Sequence, residues 1–117
     1  MANKWQSAAA VVEDAVVVIP AGQKESTEID LIGTTIMGLY IPAGFQGARV
    51  FFKAAHSEGD PFVPVIVMNQ GELTAAATPN TYIVFNYHNA AGIRRLKIEA
   101  DTVQTAERII KIAARPL

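Results

Sequence analysis

Short β-branched runs, cut by proline or glycine about every ten residues, limit what this chain can become more than any other feature. Val16 to Ile19 stops at Pro20-Ala21-Gly22, and Ile36 to Ile41 stops at Pro42-Ala43-Gly44. The tetrapeptide Ile-Pro-Ala-Gly thus occurs twice. Proline removes a ladder donor and glycine permits a turn with positive φ, so both copies read as strand terminators. Their flanks differ, Gln23-Lys24-Glu25 after the first and Phe45-Gln46-Gly47 after the second, which argues against a repeat.

Between these stops lie further strands. Thr27 to Leu31 alternates polar and apolar residues, the period of a half-buried strand, with Gly33 closing it. Ala48 to Ala54, Phe62 to Met68, a short strand at Glu72 to Ala76, Tyr82 to Phe85 and Ile93 to Glu99 follow. Pro64 marks the 62–68 run as an edge or a bulge. The breaks are 56–61, Asn69-Gln70-Gly71, Thr78-Pro79-Asn80 and the loop 86–92. The C-terminal segment carries two patterns. Val103, Ala106, Ile110 and Ala113 keep helical spacing behind a capping Asp101 or Thr102, whereas Ile110-Lys111-Ile112 alternates. An all-β context favours a strand over 107–113. The expected fold is all-β: a single antiparallel β-sandwich, jelly-roll-like, over 13–117, behind a short N-terminal arm at 1–12.

Composition narrows function mainly by exclusion. The 117 residues are half hydrophobic, enough for one core. Only 18% are charged, against about a quarter in an average domain, so part of the surface is expected to be apolar and covered by partners. A net charge of −1, with no basic cluster longer than Arg94-Arg95, argues against nucleic-acid binding. No apolar stretch approaches the length of a membrane span, and Glu13 and Asp14 break the N-terminal run that a signal peptide would need. Cysteine is absent, which fits synthesis in a reducing cytosol.

No constellation suggests chemistry. His56 and His88 lie in polar loops without metal-ligand spacing. Glu58 and Asp60 flank Gly59 but lack the other oxygen ligands of a calcium loop. Glu28 and Asp30 have the parity to share one face of a strand, which its solvent side explains. Tyr40, Tyr82 and Tyr87 could form a carbohydrate-stacking patch with Trp5. The expectation is a protein that is not an enzyme, with no catalytic residues, no metal and no cofactor. Loops on a rigid sandwich are the usual place for recognition, and tryptophan is a preferred interface anchor. The candidate contacts are therefore Trp5 in the arm, Gln23 and Lys24 in the loop 23–26, His56, Glu58 and Asp60 in the turn 56–61, and Tyr87 and His88 in the loop 86–91.

The order of segments resembles small virion proteins of tailed bacteriophages. The segment 28–48, with Gly38-Leu-Tyr-Ile-Pro-Ala-Gly-Phe-Gln-Gly-Ala, carries the likeness. Arg49 to Ala55, the turn Ser57 to Asp60 and Phe62 to Val67 continue it, and Gly92-Ile-Arg-Arg-Leu-Lys-Ile-Glu and Arg108-Ile-Ile-Lys-Ile complete it. It spans about residues 27–113, and Ile93 departs from it where an aromatic residue is common. The resemblance implies a capsid decoration (cement) protein, made in the host bacterial cytoplasm and located on the capsid surface of the virion. It would form a homo-oligomer, such as a trimer, and dock on the major capsid protein or other virion proteins. The alternative is a tail or fibre component or a carbohydrate-binding β-sandwich module.

Overall fold

The structure, a computed structural model, describes residues 15–84 and 90–116. The expected arm at 1–12 therefore lies outside the described residues, as do Trp5, Tyr87 and His88. The strands are β1 (Val16–Ile19), β2 (Ile29–Asp30), β3 (Thr34–Ile41), β4 (Arg49–Ala55), β5 (Val63–Pro64), β6 (Ile66–Val67), β7 (Gly71–Glu72), β8 (Thr74–Ala76), β9 (Thr81–Val84), β10 (Arg95–Ala100) and β11 (Arg108–Pro116). Two sheets pack against each other. Sheet A has the order β1-β11-β3-β9 and sheet B the order β2-β10-β4-β5, with β8 on the same edge of β4. All named strand pairs are antiparallel.

The pairing is nested: β1 with β11, β2 with β10, β3 with β9, and β4 with β5 and β8. One long hairpin is thus rolled so that alternate pairs fall into opposite sheets, with β11 closing on β3 and β10 on β4. This is the jelly-roll arrangement.

The core follows from side-chain parity. In β10, Leu96, Ile98 and Ala100 point inward while Arg95, Lys97 and Glu99 point out. Val50 and Phe52 of β4 face them, and across the core stand Val17, Ile19, Ile110, Ile112 and Ala114 of sheet A. β3 breaks simple alternation, because Ile36 and Leu39 are three apart yet both fully buried. The register explains it. Ala113 opposes Gly38 and Ala114 opposes Ile36, so Met37 is an extra residue that restores inward parity.

The two Ile-Pro-Ala-Gly copies end β1 and β3 as terminators, each with a β-turn in which the proline carbonyl accepts from the residue three on: Gln23 N–H at 3.1 Å and Phe45 N–H at 3.1 Å. The expectation of positive φ holds only for Gly22, at 81°. Gly44 has no positive φ; a Cβ there would only push aside the end of the Arg108 side chain.

The strand expected over 27–31 shortens to Ile29–Asp30 and that over 93–99 runs Arg95–Ala100, and three further boundaries change. The run 62–68 divides into β5 and β6, and 72–76 into β7 and β8. The cause lies at Phe52. Its N–H donates to Leu73 C=O (3.4 Å) and its C=O accepts from Val65 N–H (3.0 Å), while Leu73 N–H donates to Val65 C=O (2.8 Å). The edge of β4 therefore changes partner at Phe52, and residues 65–73 leave the sheet as a separate hairpin. Pro64 sits on the edge strand, where its missing donor does no harm. The C-terminal helical pattern gives no helix; residues 101–107 are a loop and the strand runs Arg108–Pro116.

Gln104 in that loop is fully buried and sits between the two proline turns. Its carbonyl accepts from Gly22 N–H (2.7 Å) and its backbone N–H donates to Gln23 C=O (2.9 Å). Its side-chain Oε1 accepts from Gln46 N–H (2.9 Å) and Arg108 Nε (3.2 Å), and its Nε2 donates to Gln46 C=O (2.6 Å) and Thr102 C=O (2.9 Å). Gln104→Leu keeps the volume roughly but strands a buried N–H and two carbonyls. It is expected to cost about 2–4 kcal/mol by urea unfolding, more than a typical single hydrogen bond.

Candidate functional site

The sequence-based contact residues do not form one site. In the nested pairing, the turns after β1, β3, β8 and β10 gather at one end of the sandwich. The bonds from Gln104 to residues 22, 23 and 46, and from Asn80 N–H to Pro42 C=O (3.4 Å), join them. Gln23 and Lys24 belong to this end and are exposed. The turn 56–61, with exposed His56, Glu58 and Asp60, lies at the other end, one strand length away, roughly 20 Å. There Asp60 Oδ2 accepts from Ser57 N–H (3.2 Å) and its own N–H donates to Ser57 C=O (3.1 Å), so this carboxylate caps its own turn.

The loop 23–26 is only half a contact loop. Ser26 is buried, and its backbone N–H and Oγ bond to Ile98 C=O (2.9 Å) and Ile98 N–H (2.9 Å). Glu25 lies against β10, opposite Glu99. Residues expected to project outward here are bound to sheet B instead.

Glu25 organises the outer face of that sheet. Lys53 and Lys97 stand directly opposite each other on β4 and β10, a pairing of like charges that destabilises adjacent strands. Glu25 reaches between them, 3.1 Å from each ammonium, and Glu99 lies 3.3 Å from Lys53. The Lys97 ammonium also lies 4.7 Å from the Phe62 ring centroid. Arg95 holds Glu28 (3.0 Å) and Asp30 (3.5 Å), so the two acids do share a face, with a cation between them. Partial burial pushes the Glu25 carboxyl up, but hydrogen bonds from Lys53 and Lys97 and their charges outweigh it and hold it below its ordinary 4.5. The hydrogen bond that Lys53 donates to Glu25, aided by Glu99, raises Lys53 above its ordinary 10.5 despite partial desolvation.

The outer face of sheet A is chemically different. Val18 and Ile109 form one cross-strand row there, and Val16, Lys111, Tyr40 and Tyr82 the next. Gly38 and Val84 follow beside Ala113. Tyr82 and Val84 are 60% and 77% exposed. Lys111 brings a charge to these rows and lies 5.9 Å from the Tyr40 ring centroid. Gly38 leaves room for the Tyr82 ring to lie across β3, since a Cβ would stand 2.7 Å from the ring edge.

A second apolar surface is the hairpin 65–73, with Ile66 at 66% and Met68 at 83% exposure and Val63 of β5 beside it. Its tip is a tight turn: Gln70 N–H donates to Val67 C=O (2.9 Å), and Asn69 and Gly71 take positive φ. Pro64 to Met68, Ala54, Gly92 and Ile93 line a shallow groove of about 460 Å³ along its base. Among the described residues, no three acidic or histidine side chains gather as metal ligands would. Sequence reasoning singled out Tyr40 and Tyr82 of the first surface as a stacking patch but not the second, although exposed Ile66 and Met68 stand in a run it read as one strand.

Comparison with protein-family models, with curated proteins and with solved structures found no match.

The charge network sets an expected pH dependence. A lowered Glu25 stabilises the fold fully above about pH 4.5 and loses that effect as pH falls through its folded value. A raised Lys53 stabilises fully below about pH 10.5 and loses it as pH rises through its folded value. Glu25→Gln is expected to lower stability at neutral pH by about 0.5–1 kcal/mol. In urea titrations this difference should shrink steadily between about pH 5 and pH 2, as the native carboxylate protonates. A difference that grows on acidification would contradict the assignment.

Proposed function

We propose that this chain is a structural protein that works by docking and not by catalysis: a capsid decoration protein of a tailed bacteriophage, oligomerising on the head shell and stabilising it. The observation that carries the docking role is the hairpin 65–73, which holds Ile66 and Met68 out to solvent from a rigid sheet edge. Large exposed apolar groups concentrated on one projection mark interaction sites. The tailed-phage assignment draws its support from the short motifs around Gly38 to Ala48 and Gly92 to Glu99. A jelly roll suits the role, since virion shells and lectins both use it, but the fold alone does not select a function.

The test is co-sedimentation with undecorated heads. The wild-type chain is expected to pellet with them, and Ile66→Glu with Met68→Glu to weaken binding at least about tenfold, roughly 1.4 kcal/mol. Both side chains are mostly exposed, so the melting temperature should stay within a few degrees. Wild-type protein that leaves the heads bare would rule the decoration role out.

One observation favours the carbohydrate-binding alternative. Tyr40 and Tyr82 are direct cross-strand neighbours on an outer face, and Tyr40 Oη is bonded to Asn80 Oδ1 at 3.0 Å. Paired rings of this kind can stack on sugars. A glycan array decides it: binding that Tyr82→Ala abolishes supports the module, and a blank array removes it.

A further inference from the structure

We infer that β9 is the seam at which a second copy of this chain attaches, edge to edge and antiparallel, joining the two A sheets into one with a continuous apolar outer face. The inference rests on the self-association in the reading above and is independent of the shell.

The free edges of the two sheets are not treated alike. In sheet B, β2 is only two residues long, follows Glu28 and ends in the exposed Asp30, while the other edge carries Pro64. Short length, charge and proline are the usual means of preventing stray strand pairing. In sheet A, the outward N–H and C=O of Val18 in β1 are taken by Thr27, through its Oγ1 (3.0 Å) and its own N–H (2.8 Å). Among the described residues, β9 pairs with β3 alone. Its sequence Thr81-Tyr82-Ile83-Val84 has no charge, no proline and no bulge, and all four residues favour strands. A head-to-tail approach of β9 onto β1 would meet a backbone already bonded at Val18. Isologous pairing of β9 with itself meets no such competition among the described residues.

The side chains fit the same partner. A two-fold axis at Ile83 would set Tyr82 opposite the partner's Val84 on the outer face, an aromatic-to-β-branched pair of the favourable kind. The charges on that face, Lys111 and Arg115, lie on β11, so those of the two copies would stand five strand spacings apart, about 24 Å. That is well beyond the screening length of about 8 Å in physiological salt. Buried area alone carries neither arrangement. The apolar rows of sheet A measure roughly 20 by 15 Å, about 300 Å², against about 800 Å² from each partner in a stable pair. The edge seam of four residues has main-chain hydrogen bonds that stacked faces would lack, and the pair is expected to be weak alone and reinforced by avidity when many copies crowd one surface.

Sedimentation velocity between about 5 and 200 μM is the experiment, at the micromolar strength such a seam implies. The wild type should pass from monomer to dimer over that range. Val84→Lys, at a site 77% exposed, should raise the dissociation constant at least about tenfold with the melting temperature unchanged. Ile109→Lys, on the same face but two strands from the seam, should leave it unaltered. Because the chain has no cysteine, Tyr82→Cys combined with Val84→Cys should give a disulfide-linked dimer on oxidation, free of background. A monomer at all concentrations overturns the inference. So does a dimer indifferent to Val84→Lys, or one lost when residues 1–12 are removed but kept in Val84→Lys. Dimers that leave heads undecorated would remove the virion role and keep the seam; decoration by a strict monomer would do the reverse.

Discussion

The end of the sandwich where the chain reverses most often is held by one side chain. Gln104 is fully buried, where a stranded amide would be costly. All its polar atoms are satisfied by backbone or by Arg108, and those partners belong to the turns after β1 and β3 and to its own loop. Gln46 returns the arrangement: its Oε1 accepts from Thr105 N–H (2.7 Å), Thr105 Oγ1 (2.8 Å) and Arg108 Nη2 (3.2 Å). A jelly roll needs its crossing loops fixed, because β1 and β3 must lie on either side of β11 for the roll to close. A buried amide that is fully satisfied specifies one arrangement of three turns, where an apolar residue would accept several.

What the sequence revealed depended on whether a residue's job was local. The alternation of Arg95 to Ala100 is complete, and its burial pattern in the fold follows it residue by residue. Glu28 and Asp30 were legible as sharing a face because parity alone decides that; their common partner Arg95 lies 67 and 65 positions away and was not. The bulge at Met37 is written in the spacing of Ile36, Leu39 and Ile41, which no flat strand can bury together. The break at Phe52 is not written anywhere locally. Phe62 to Met68 is a good strand by composition, and only competition between Val65 and Leu73 for the two bonds of Phe52 divides it. Gln104 was hidden for the same reason. It sat in a helix-like run, and the groups that bury it come from turns 58 to 82 positions earlier in the chain.

The low charge content is unevenly spent across the molecule, and that unevenness carries the functional argument. On sheet B, opposed Lys53 and Lys97 need Glu25 between them, and Arg95 is flanked by two acids. Each charge there already has a partner in the same chain, so this face offers a second protein little beyond competition with existing bonds. On sheet A the same number of strands exposes valine, isoleucine and tyrosine beside Lys111, which rests on a ring, and Arg115 further along β11. Burying that face costs little desolvation and removes apolar area from water.

Two apolar surfaces on one small sandwich need not serve one partner. The hairpin 65–73 branches from the β4 edge of sheet B, whereas β9 is an edge of sheet A, so a partner lying flat along one leaves the other accessible. The hairpin projects side chains beyond the sheet edge and pairs its two short strands with each other, so it can insert into a groove. β9 has the opposite character: its side chains lie flat and its backbone edge is open among the described residues. Projection suits a preformed pocket on a different surface, and an open edge suits a copy of itself, whose own open edge matches it in length and hydrogen-bonding pattern. A protein that must both join its own kind and grip an unlike surface requires this division of roles between two patches.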